Sequence, residues 1–167
     1  MAEKDTILKE KIQHSGILDF KGLYEYAYGW LTGEGYFVTE EKYSEKISGS
    51  AKEIEIIWVA TKTLSDYFKV ELTVQWLIIN MTDVEVEIDG KKKKMNKAVQ
   101  TILKDKGVLI KDWQSTWESS AFSNFLRNVY DKYVIPARIS QMEDKVVEDV
   151  QDFNGEIKAF LELTGRR

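Results

Sequence analysis

The sequence predicts an α+β protein: an antiparallel curved sheet of about five to seven strands, one short helix in the N-terminal half, and a long, Pro-broken C-terminal helical segment packed on the sheet's apolar face. Three observations carry that expectation. Up to residue 116 or so, apolar side chains mostly alternate with polar ones; beyond it they recur every three or four positions. Two glycine-containing turns, Gly49-Ser50 and Asp89-Gly90, each separate a pair of alternating runs. The only proline, Pro136, falls inside the helical third. With 167 residues the chain fits one domain, a β-rich body over 1–115 with a helix at 19–32, followed by a helical segment over 116–165.

Each element has a local reason. Residues 6–14 form a first strand, ended by Ser15-Gly16. Asp19 caps a helix whose Phe20, Leu23, Tyr24, Ala27, Trp30 and Leu31 share one face, with Gly33 and Gly35 as the stop. Strands at 36–47 and 52–63 flank Gly49-Ser50. With that two-residue loop, Lys46 faces Glu53, Tyr43 faces Ile56 and Glu45 faces Ile54. In 67–79, Phe68, Val70, Leu72, Val74, Trp76 and Ile78 point one way, while Lys69, Glu71, Thr73 and Gln75 point the other. That is a sheet with one buried and one wet face.

A separate strand at 84–88 enters Asp89-Gly90, a type I′ hairpin signal. Its register sets Glu87 against Lys92, Glu85 against Lys94 and Val84 against Met95, and it continues to Lys104. A turn at 105–107 and a last strand at 108–113 follow. Helices at 119–135 and 137–163 are divided by Pro136, which removes a helix hydrogen bond. The second carries a stripe of Ile139, Met142, Val146, Val150, Phe153, Ile157 and Phe160, and it holds seven Asp/Glu against three Lys/Arg.

Composition excludes more than it assigns. The absence of Cys rules out disulfides, zinc-thiolate sites and a Cys nucleophile, and one His rules out a multi-histidine metal centre. A net charge of −4 argues against nucleic acid. The charged N-terminus predicts no signal peptide. No apolar run approaches the roughly 20 residues of a membrane span, and the expected location is cytoplasmic.

Individual motifs favour structural roles. Lys91–Lys94 reads as a solvated hairpin tip, two of its four lysines neutralised by Glu85 and Glu87, rather than as an anion site. His14 has no fixed acid partner. Glu34, Glu40, Glu41, Glu45, Glu53, Glu55, Glu71, Glu85 and Glu87 mostly occupy the polar positions of strands. Gly33-Glu34-Gly35 follows a helix instead of opening one, so it is not a phosphate loop. No catalytic residue, metal ligand or cofactor is assigned.

The element order resembles the helix-grip arrangement of START-like ligand-binding domains, in which a curved sheet wraps a long helix around an apolar cavity. Pro136 departs from the single gripping helix. Three functional readings follow. The first is a non-catalytic structural or interaction protein, self-associating or holding a protein partner. Its interface would draw on Trp113, Trp117, Ile139, Met142, Val146, Val150 and Phe153. The second, which the resemblance implies, is a binder of a small apolar ligand, with Trp58, Leu72 and Trp76 lining the cavity. The third is a carboxylate-dependent enzyme, which requires acidic groups converging in a cleft.

Overall fold

The computed structural model describes residues 3–111 and 136–165. In chain order these are β1 (Glu3–Leu18), α1 (Phe20–Gly33), β2 (Phe37–Ser48), β3 (Ala51–Thr63), β4 (Phe68–Ile88), β5 (Lys91–Lys111) and α2 (Pro136–Gly165). The strands make one antiparallel sheet in the order β1-β5-β4-β3-β2. The fold is therefore α+β, with five strands and two helices among the described residues.

Both expected hairpin registers are present. Ser48 faces Ala51, Lys46 faces Glu53 and Tyr43 faces Ile56. Glu87 faces Lys92, Glu85 faces Lys94 and Val84 faces Met95. Asp89 (φ 52) and Gly90 (φ 77) take the left-handed backbone that a type I′ turn needs. That single turn sets the alignment of the whole β4–β5 ladder, because the same register holds back to Phe68 opposite Lys111.

The strand count corrects the upper end of the expectation. The segments expected at 67–79 and 84–88 are one strand, bent at Asn80 (φ 51). The turn expected at 105–107 does not form. Asp105, Lys106 and Gly107 stay paired with β4 on one side and β1 on the other, and Gly107 is not in the left-handed region. A ladder held on both sides overrides local turn chemistry. Likewise Ser15-Gly16 is a bulge within β1, with Gly16 at φ 105, and not its end.

α1 starts where Asp19 Oδ1 accepts a hydrogen bond from the Gly22 N–H at 3.1 Å. Its Leu23, Ala27 and Leu31 are buried. Pro136 is the first residue of α2, where its missing N–H costs nothing. The helix expected at 119–135, and with it the Pro-broken continuity of the segment, lies outside the described residues. α2 crosses the inner face of the sheet over β1 and β5 and touches α1.

The core lies between this face and the helices. Ile54, Ile56, Trp58 and Ala60 of β3 join the predicted inner row of β4, and Trp58 meets Trp76 edge-to-face at 5.3 Å. No described helix is long and apolar enough to cross a membrane.

Candidate functional site

The predicted site residues fall in different places. Val146, Val150 and Phe153 are at most 1% exposed and sit in the chain's own core, while Ile139 and Met142 pack half-buried against it. The helix stripe therefore covers the sheet over β1 and β5. Trp58, Leu72 and Trp76 are fully or almost fully buried, in contact with core side chains, and line none of the four described surface grooves. Trp113 and Trp117 lie outside the described residues. His14 Nε2 is 2.9 Å from the Ile17 carbonyl oxygen, an ordinary local hydrogen bond.

The named carboxylates do not converge as a group. Glu55 pairs with Lys42 at 2.7 Å and Glu71 with Lys4 at 3.3 Å, both on exposed surface. Glu40 accepts hydrogen bonds from the Tyr24 hydroxyl at 2.7 Å and the Trp58 indole N–H at 3.3 Å. Burial and that carboxylate together push the Tyr24 hydroxyl up to about 12.

Two acids outside that set do converge. Glu10 of β1 directly faces Asp105 of β5. Asn154 of α2, 2% exposed, bridges them: its Nδ2 donates to Glu10 Oε2 at 2.6 Å and to Asp105 Oδ1 at 3.2 Å. Asp105 is 5% exposed, and its Oδ2 has no hydrogen-bond partner among the described residues; nor has Asn154 Oδ1. Burial outweighs the Asn154 hydrogen bond, Glu10 adds like-charge repulsion, and the Asp105 carboxyl is pushed up to about 7.

The other face of the same residues carries the opposite charge. Lys9 faces Lys106 and Lys11 faces Lys104 across the β1–β5 ladder, while Thr73 and Gln75 of β4 continue the two rows. These six residues, with Glu10 and Asp105 between them in their strands, line an open groove of about 430 Å³. Opposed residues in an antiparallel ladder are about 5 Å apart, and successive same-face residues about 7 Å, so the lysines form a compact tetrad. Like charges set directly opposite destabilise a sheet. None of the four lysines makes a salt bridge with a described residue. Four ammonium groups over so small an area can hold one anion of two or more charges through charge-assisted hydrogen bonds.

Sequence reasoning passed over this site because Lys9, Lys11, Lys104 and Lys106 look like ordinary polar positions of alternating strands. The available signal was on the opposite phase: Glu10 interrupts Leu8 and Ile12, and Asp105 interrupts Leu103 and Leu109, where apolar residues belong. Compared with known proteins, the chain matches no family model, no curated protein and no solved structure.

Proposed function

We propose that this protein is a binding protein whose ligand is a compact anion of two or more charges, such as a diphosphate, held on the outer face of the sheet. The observation that carries this reading is the pair of directly opposed lysine pairs, Lys9–Lys106 and Lys11–Lys104, in one open groove. A nucleic-acid strand needs an extended track of cations. Here the tetrad is bounded along β4 by the apolar Leu77 and by the Lys4–Glu71 ion pair, and the chain as a whole is acidic.

The test is calorimetric titration with inorganic pyrophosphate at low ionic strength. Lys9→Gln/Lys106→Gln and Lys11→Gln/Lys104→Gln should each weaken binding by at least about tenfold, or 1.4 kcal/mol. Each should also raise stability by a few tenths of a kcal/mol, since a like-charge opposition is removed. Lys93→Gln, at the β4–β5 hairpin tip, should change neither. Absence of pyrophosphate binding overturns the reading, as does a single-stranded oligonucleotide that binds far more tightly than pyrophosphate.

A protein partner is the second reading, favoured by exposed Phe37, Tyr43 and Ile47 on the edge strand β2. Laid antiparallel on a second copy, β2 sets Lys42 against Glu45 and Glu41 against Lys46. The bulge between Glu40 and Lys42 works against edge pairing and places this reading second. Native mass spectrometry showing a monomer for the wild type and for Ile47→Lys alike would exclude it.

A further inference from the structure

The two strands that carry the lysine tetrad share one pattern. Lys9-Glu10-Lys11 of β1 lies antiparallel to Lys104-Asp105-Lys106 of β5, residue against residue. Side chains alternate across a strand, so four cations face the outer groove and two acids face α2. One layer of hydrogen-bonded backbone separates them, and the ladder holds both sets in register. A charge on Asp105 therefore acts on the groove through the sheet and not through bulk water, where it would be heavily screened.

We propose that the outer anion site is proton-linked: binding of the anion on the lysine face is coupled to proton uptake by Asp105 on the inner face. This rests on the anion-site reading above and adds its regulation. The groups facing Asp105 are Glu10 from β1, Asn154 and Lys158 from α2, the uncharged Val74 from β4, and the outward Lys104 and Lys106 of its own strand. Burial, the largest influence, and Glu10 favour the acid, while the Asn154 amide, a backbone hydrogen bond and Lys158 favour the carboxylate, and the balance pushes Asp105 up to about 7.

The sign follows. Ionised Asp105 places a negative charge behind a site for a dianion and weakens binding; protonated Asp105 does not. Affinity is highest below pH 7 and falls as pH rises through it. By reciprocity, bound anion raises the Asp105 pKa by the logarithm of the same factor.

The experiment needs a dianion that does not itself titrate, and methanedisulfonate is a diphosphate-shaped one. Binding to the wild-type chain at fixed ionic strength should weaken on the order of tenfold from pH 6 to pH 8, the effect of one buried charge on a dianion a sheet's thickness away. Asp105→Asn should bind equally at both pH values, at the wild-type pH 6 affinity. His14→Gln, a control in the neighbouring groove with Lys11, Lys158 and Glu162, should keep the pH dependence.

A carbon-detected NMR titration of the Asp105 carboxyl, with and without methanedisulfonate, reads the same coupling in the wild-type chain and stands even if the Asn variant folds poorly. Saturation should raise the midpoint by about one pH unit. Binding of equal strength at pH 6 and 8, an unmoved carboxyl midpoint, or loss of the pH dependence in His14→Gln overturns the coupling and leaves the anion site standing. No binding of either pyrophosphate or methanedisulfonate at pH 6 overturns the anion site itself.

Discussion

Gly107→Ala tests the contact on which the fold turns, the seating of α2 on β5. Gly107 faces Leu72 on one side and Leu8 on the other. A methyl group built there would lie 2.7 Å from Val146 Cγ1 and 3.0 Å from Val150 Cγ2, with Leu72 Cδ2 at 3.6 Å. Carbon atoms settle at about 3.5–4.0 Å, so the shortfall is roughly 0.8–1.3 Å against Val146 and 0.5–1 Å against Val150. Neither valine can swing aside, because a β-branched side chain in a helix has one strongly preferred rotamer. The helix must lift from the sheet.

Overpacking of this kind costs about 1–3 kcal/mol. Alanine's smaller unfolded-state entropy returns about 0.5–1 kcal/mol. The midpoints of those two ranges give a net loss of about 1 kcal/mol in urea unfolding. In a Val146→Ala background the added methyl fills the space just vacated, so the penalty should shrink by at least about 1 kcal/mol, a coupling typical of side chains in contact. A Gly107→Ala variant as stable as the wild type, or one whose effect adds independently to that of Val146→Ala, would refute the placement of α2.

Two further outcomes follow from burial and charge. Trp76→Ala, which removes a fully buried ring packed on Trp58, should cost about 3–5 kcal/mol, while Thr73→Ala on the groove face should move stability by less than about 0.5 kcal/mol; equal costs in chemical denaturation would mean the sheet faces are assigned in reverse. Asp105→Asn should change how stability depends on pH. The folded carboxyl titrates at about 7 and an unfolded one at about 3.9, so between them the folded state holds the extra proton and the wild type loses stability as pH rises, by on the order of 4 kcal/mol in all. Asn cannot titrate, so the variant should gain about that much on the wild type between pH 4 and pH 8, and parallel thermal-melt profiles for the two would contradict the burial of Asp105.

Much of the sheet was legible because its two hairpin turns are local. Gly49-Ser50 and Asp89-Gly90 each set a register from two residues, and every pairing derived from them is present. What was not legible is where a long ladder continues through residues that would turn if left alone. Asp105-Lys106-Gly107 has turn composition, yet hydrogen bonding from β1 and β4 on both sides keeps it extended, and Gly107 is glycine because two valines of α2 stand over it. That reason lies almost 40 residues away in sequence. The candidate site was hidden the same way. Lys91–Lys94 attracts attention as a run, but each of Lys92 and Lys94 has a glutamate opposite. The tetrad comes from two unremarkable pairs of lysines on strands joined only by the fold.

Six residues of one ladder carry the unfavourable electrostatics described above: Lys9 against Lys106 and Lys11 against Lys104 outside, Glu10 against Asp105 inside. Around them the sheet obeys simple rules, with Leu8 and Ile12 flanking Glu10, and Leu103 flanking Asp105, in the apolar phase. Replacing the acids by leucine and one lysine of each pair by threonine or glutamate would satisfy every one of those rules and, on physical grounds, stabilise the fold. A local conflict with folding rules, compensated by an otherwise well-packed core, is what a binding site looks like in stability terms. The conflict is also two-sided in a way that chance surface lysines would not explain, since the inner acids are held by Asn154, a polar residue on the buried face of α2. Anion and proton together would relieve both faces at once: the first neutralises the lysine oppositions, and the second removes the carboxylate repulsion.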